Sequence, residues 1–227
     1  MCGRYATTRS AADLSALFEA VDDTMGVVPR YNVAPTDEVP IVRVSRRRDA
    51  RVLALARWGL LPGWVRDPRA GARMINARAE TVATSRAYAS AFAHRRALVP
   101  ADGWFEWRRE GGRRQAYFLT AGDGAVLALA GLWSRWSDER LTFSVVTTAA
   151  TGALAGVHDR MPLVLPPGRW RQWLAGPADP SLLRPSPPDL VGGMEIRPVG
   201  AAVGNVRNDG PELLAEVDVQ PPPETLW

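Results

Sequence analysis

Most apolar residues of this chain fall in short runs broken by glycine, proline and aspartate, and the runs do not alternate with long helices. Residues 39–44, 52–56, 116–119, 126–130 and 141–147 read as strands of this kind. Pro40 demotes the start of the first run to an edge or pre-strand position, because proline has no N–H to give a ladder. Three helices are expected. One covers residues 11–21, with Ser10 as N-cap, Asp13 three positions on, and Leu14, Leu17, Phe18 and Val21 at helical spacing. The others cover residues 84–92 and 169–174. This pattern disfavours a doubly wound parallel sheet. It predicts an α+β fold with a curved, barrel-like, mostly antiparallel sheet and a few flanking helices. The 227 residues suit a single domain, taken as residues 1–227. Residues 177–188 form a proline-rich surface loop and residues 221–227 a short tail. Neither has the character of a domain linker, and no internal repeat is found.

Composition removes several chemistries. One cysteine allows no internal disulfide and no cysteine-rich zinc site. All 28 basic residues are arginine, so a lysine Schiff base and a P-loop lysine are excluded. The ordinary amine that remains is the chain's own α-amino group. The formal net charge of +4 is carried by guanidinium groups, which stay ionised and grip phosphate in a bidentate manner. The N-terminus lacks the apolar core of a secretory signal, and no apolar run approaches the roughly 18 residues of a membrane span. A soluble cytoplasmic protein is expected, with no membrane partner.

Cys2 follows the initiator methionine, and its small size favours removal of Met1. The mature chain would then begin with an amine and a thiol on adjacent carbons. The amine, with a reference pKa of about 7.7–8.0, is partly neutral near pH 7 and can add to an aldehyde. The thiol can then close the imine into a five-membered thiazolidine. The same thiol could instead attack an acyl carbon, or Cys2 could be an incidental buried cysteine. Of the two histidines, His94 falls near the end of a helix and reads as structural or surface, whereas His158 lies in an HDR loop after a strand. In GWFEWRRE, residues 103–110, strand parity puts Trp104 and Glu106 on one face and Phe105 and Trp107 on the other. Glu106 is either a solvent-facing carboxylate or a buried one with a raised pKa, suited to general acid–base work. In INARAE, residues 75–80, Asn76, Arg78 and Glu80 share a face if the segment is extended; either an anionic ligand or an internal ion pair would use it. RYNVAP and WGLLPGW, with Arg4, Arg78 and Arg86, could build a groove for single-stranded nucleic acid.

The ordered set MCGRYA, RYNVAP, WGLLPGW, INARAET, ADGWFEW, VTTAA, HDRMPLVL and AVGNVRND resembles the SOS-response-associated peptidase (SRAP) family, from residue 2 to about residue 214. The resemblance implies a single SRAP-type domain that binds single-stranded DNA and captures abasic sites covalently through Cys2, shielding the lesion. It assigns catalytic roles to Cys2, Asn76, Glu106 and His158. It assigns DNA contacts to Arg4, Pro35, Trp64, Arg78, Arg86 and Thr147. Val65 stands where the family carries a second loop aromatic, which removes one stacking contact. The resemblance further implies no metal or organic cofactor, a monomer, autocatalytic loss of Met1, and a nucleoid association when damaged DNA is bound. An N-terminal-cysteine peptidase or amidohydrolase, or a non-covalent single-strand binding module, are the competing readings.

Overall fold

The computed structural model describes residues 2–110, 113–137 and 140–219. In chain order its strands are β1 (Tyr5–Thr7), β2 (Val21–Asp22), β3 (Arg30–Val33), β4 (Glu38–Ser45), β5 (Ala50–Trp58), β6 (Asn76–Arg78) and β7 (Arg96–Ala101). They continue as β8 (Gly103–Glu110), β9 (Arg113–Ala121), β10 (Leu127–Arg135), β11 (Leu141–Ala149), β12 (Arg160–Pro162) and β13 (Met194–Val199). The helices are α1 (Ala11–Phe18), α2 (Ala89–His94), α3 (Pro167–Ala175) and α4 (Pro188–Gly192).

Two sheets form. The smaller runs β13-β9-β8-β1-β3, and the larger β12-β11-β10-β7-β4-β5-β2, with β6 added beside β11. A further parallel pairing of Thr142 with Arg57 and Phe143 with Trp58 joins β11 to β5. That contact closes β5, β4, β7, β10 and β11 into a ring, so the curved, barrel-like sheet is realised. Pairing is antiparallel apart from β2–β5, β6–β11 and β5–β11. The fold is α+β, as the sequence pattern predicts.

Strand parity sorts the core. Ile41, Val99, Leu129 and Val145 point to one face of the ring, where they join Tyr5, Trp104, Tyr117 and Leu119 of the smaller sheet in a single apolar cluster. Val42, Leu98, Ala130 and Val146 point the other way and pack with Leu14 and Phe18 of α1, Phe92 of α2, and Trp170 and Trp173 of α3. The first cluster is therefore the layer between the sheets, and a side chain entering it from β8 is removed from water.

Several boundaries differ from the sequence pattern. Ser10 caps α1 by accepting the Asp13 N–H at 3.1 Å, but the helix stops at Phe18 because Glu19 takes a left-handed conformation with φ 50°. Val21 is released into β2. The helix expected over residues 84–92 starts only at Ala89, since residues 81–88 are spent in turns such as Ser85 N–H to Thr81 carbonyl at 2.9 Å. Pro40 lies inside an interior strand. It is tolerated because β7 pairs β4 at Val42 and Arg43, leaving Pro40 paired on the β5 side alone. The 177–188 segment is a pinned loop, with the Ser186 hydroxyl bridging the Val164 N–H and carbonyl at 3.0 Å each. Residues 221–227 lie outside the described residues. In WGLLPGW, Gly59 has φ +121°, and a Cβ there would come within 2.5 Å of the Gly71 carbonyl oxygen. Only glycine lets this loop fold against residues 68–73.

Candidate active site

Cys2 owes its position to β1. The antiparallel register sets Tyr5 opposite Trp104 and Ala6 opposite Gly103, and the Phe105 N–H donates to the Arg4 carbonyl at 2.9 Å. Continued outward, that register lays Gly3 against Glu106. Cys2 is fully buried beside β8. Burial pushes its thiol far above the ordinary thiol range, and the Glu106 carboxylate pushes the same way. At neutral pH the sulfur therefore keeps its proton.

Glu106 shares the parity of Trp104 and is only 3% exposed. Burial raises its pKa above the usual carboxylate range; His158 nearby pulls it back and Asp159 adds to the rise. Of the two sequence readings of this residue, the structure takes the buried one. Asn76, the first residue of β6, is brought in by parallel pairing with β11 opposite Val145. Its Nδ2 donates to the Cys2 carbonyl at 2.7 Å, across 74 positions of sequence. Its Oδ1 is buried and, among the described residues, accepts no hydrogen bond. His158 follows a 3-10 turn, Gly152–Gly156. Its Nδ1 lies 2.9 Å from the Arg160 N–H and 2.7 Å from Asp159 Oδ1. Nδ1 thus has one neighbour that donates and one that accepts, and the two hold the ring in the loop.

Glu106 and His158 open into one cavity of about 520 Å³, whose walls include Arg4, Pro35, Arg109 and Arg114. Gly3, the neighbour of Cys2, also lines it. The sequence-derived quartet of Cys2, Asn76, Glu106 and His158 thus converges, although its members come from four separate segments. Among the described residues, no three His, Cys, Asp or Glu side chains group as a metal site. Among the described residues, no helix is long and apolar enough to cross a membrane.

A family profile described as SOS response associated peptidase (SRAP) matches residues 1–206. This chain belongs to the SRAP family. Relatives include the abasic site processing protein YedK of Escherichia coli, 38% identical over 96% of this chain and 100% of that one. The abasic site processing protein HMCES of Xenopus tropicalis is 28% identical over 96% of this chain and 78% of its own length. A solved structure from Bacteroides thetaiotaomicron shares the fold with a TM-score of 0.81 at 24% identity, covering 95% of this chain and 100% of that one. A phage-related protein from Bordetella bronchiseptica gives 0.69 at 30% identity, covering 87% and 94%.

The remaining expected contacts of this SRAP chain are placed unevenly. Trp64 is 58% exposed and carries the Arg86 guanidinium 5.1 Å from its ring centroid, a cation–π pair on open surface. Arg78 is exposed, and Pro35 lines the cavity. Val65 is half-buried, its carbonyl accepting from Trp136 Nε1 at 2.7 Å. Arg4 reaches the cavity but is largely committed elsewhere. Its guanidinium donates at 2.9 Å to both Asn32 Oδ1 and the Val203 carbonyl. Thr147 is fully buried, its hydroxyl 3.3 Å from the Arg160 guanidinium. It has no surface of its own to offer a groove. Glu80 does not pair with Arg78, because the strand ends and turns there. It forms a bidentate pair with Arg160 at 2.6 and 2.9 Å.

Arg160 and Asn32 are the residues that sequence reasoning overlooked. Arg160 ties the turn after β6 to the His158 loop and also donates to the Thr147 carbonyl at 2.7 Å. Asn32 is fully buried and donates to the carbonyls of Val203, Asn205 and Asn208 at 3.2, 3.1 and 2.8 Å. It clasps the RYNVAP segment to the AVGNVRND segment. Arg109, Arg114 and Trp107 also border the cavity, with the Arg114 guanidinium 4.8 Å from the Trp107 ring centroid. The alternation of Trp107 and Arg109 along β8 was the available signal.

Proposed function

We propose that this chain, working as one domain and as a monomer, recognises abasic sites in single-stranded DNA and captures them covalently through the amine and thiol of Cys2 once Met1 is removed. The observation that carries the reading is the hydrogen bond of Asn76 to the Cys2 carbonyl, next to Gly3, which shares a cavity with Glu106 and His158. The names of the YedK and HMCES relatives support the choice of abasic DNA as the substrate.

The abasic sugar is mostly a closed hemiacetal. His158 takes or supplies the proton that opens it, leaving an aldehyde at C1′ and a hydroxyl at C4′. The Cys2 amine then attacks C1′, forming a C–N bond and a carbinolamine. Glu106 donates the proton that lets the hydroxyl depart as water, giving the imine, and a buried carboxyl with a raised pKa suits that step. The buried Oδ1 of Asn76 is an acceptor suited to orienting the amine. Finally the thiol sulfur adds to the imine carbon and its proton passes to nitrogen, closing the thiazolidine. A thiol whose pKa is pushed up by burial and by Glu106 suits this order, in which nitrogen attacks first. Arg78, Arg86 and Trp64 offer phosphate and base contacts to the strand.

The test is intact-mass spectrometry of the protein with an abasic-site oligonucleotide. Free protein should lack Met1, and the mixture should gain the oligonucleotide mass less one water. Cys2→Ser should give only a labile adduct that borohydride traps. A stable adduct with the same mass gain on Cys2→Ala would refute the proposal.

A further inference from the structure

A second cleft of about 550 Å³ lies away from the candidate active site, at the tip of the β4–β5 hairpin and the end of α2. Its lining is dominated by guanidinium groups. Arg46, Arg47 and Arg48 come from the hairpin turn, Arg43 from β4, Arg95 from the residue after α2 and Arg135 from the end of β10. His94 and Trp133 complete the wall, and among the described residues Asp23 is the carboxylate that lines it. Asp23 is engaged by Arg48 at 3.0 Å. Arg43 lies 5.1 Å from the Trp133 ring centroid, and its Nε is buried and, among the described residues, without a hydrogen-bond partner. Arg95 spends its donors on neutral groups, the Trp133 carbonyl at 3.3 Å and the Ser90 hydroxyl at 3.0 Å. Gathering like charges around a concave surface is unfavourable for folding alone. It becomes favourable when a polyanion supplies the counter-charge.

The position of the cleft indicates which polyanion. The β4 strand begins beside Pro35, at the candidate active site, and Ser45 ends it at the cleft. Eight residues at about 3.3 Å each separate the two ends by roughly 25 Å. Arg86 and its Trp64 partner precede α2, and the helix, about 9 Å long, ends at His94 and Arg95, which line the cleft. A strand held at Arg86 that followed the helix would reach the hairpin arginines.

We propose that this cleft is a second phosphodiester-binding site, which holds the DNA flanking the nucleotide captured at Cys2. The inference rests on the DNA reading of the first site and adds an anchor roughly 25 Å from it, a distance of about seven base steps at ~3.4 Å. The double variant Arg46→Gln/Arg47→Gln removes two exposed charges from the hairpin turn and touches no residue of the candidate active site.

Fluorescence anisotropy would be measured with an abasic 6-mer, an abasic 30-mer, and a 30-mer whose flank is duplex. At ~0.15 M salt, two lost phosphate contacts weaken binding roughly ten- to thirty-fold and flatten the salt slope by about 1.5. That loss is expected for at least one 30-mer and not for the 6-mer, because charges this distant are screened beyond a Debye length of about 8 Å. The single-stranded and duplex probes tell which form of flank is held. Equal loss for all three probes, or no loss for any, overturns the inference. Crosslinking of the 6-mer at saturation is measured on the same samples. If the parent protein forms no crosslink while long-probe affinity still depends on Arg46 and Arg47, the Cys2 reading fails and the cleft stands.

Discussion

A carboxylate placed in the layer between two sheets is held against its solvation preference, and Glu106 is such a group. Its folded-state pKa lies above that of the unfolded chain, because burial disfavours the charged form. The ionised form therefore opposes folding. Stability linked to Glu106 is fully present below the unfolded pKa, near 4.3 for a free glutamate, and is lost as pH rises through the folded value. Glu106→Gln should accordingly raise Tm at pH 7, with the gain fading towards pH 4, as scanning calorimetry across that range would record. A chain of this size shifts by about 2–4 °C per kcal/mol. The same variant should slow crosslinking by about 10²–10³-fold if the carboxyl moves a proton in the reaction. A variant both less stable and fully active would contradict both halves. The arginines divide in a related way. Arg4 donates to Asn32 and to the 203–204 backbone, so Arg4→Gln should lower Tm. Arg78 is exposed, so Arg78→Gln should weaken DNA binding and leave Tm unchanged.

At the scale of elements, the site is assembled by ties between segments distant in sequence. Asn32 joins β3 to the 203–208 backbone through three carbonyls and accepts from Arg4. Asn32→Ala removes the donor to the Asn208 carbonyl and the acceptor of Arg4, while the Val203 carbonyl keeps Arg4 and the Asn205 carbonyl keeps the Asn208 N–H. A loss of about 1–3 kcal/mol in urea unfolding is expected. Arg160→Lys should be milder in stability yet slow the chemistry, because an ammonium cannot make the bidentate pair that braces the His158 loop against Glu80. What could be read in advance follows the same division. The two faces of β8 were legible because strand parity is local, and Ser10 was legible as a cap because its partner is three residues away. The end of α1 was not, since Val21 continues the helical spacing and only Glu19 and the pairing of β2 with β5 withdraw it. Arg160 and Asn32 were invisible as site residues because their partners lie 80 and about 171–176 positions away. The ring closure of β11 on β5 belongs to the same class, being a parallel contact with no local signature.

For the whole molecule, a net charge of +4 understates how the charge is arranged. Guanidinium groups border the active-site cavity, ride on Trp64, and line the cleft at the hairpin tip. Phosphate contacts of this kind would act on the encounter and the bound strand, whereas the proposed C–N and C–S bonds would form at Cys2, buried with Glu106, where salt screens charges much less. Salt should therefore separate the two processes. In a crosslinking time course on a short abasic oligonucleotide, the half-saturating DNA concentration should rise with ionic strength. Its log–log slope should be about 1.4, as two phosphate contacts at Arg78 and Arg86 give for single strands. The rate at saturating DNA should stay within about two-fold over the same range. A saturating rate that falls as steeply as the affinity would mean that the arginines act on the reacting atoms themselves, and that the buried site and the charged surface are not separable parts.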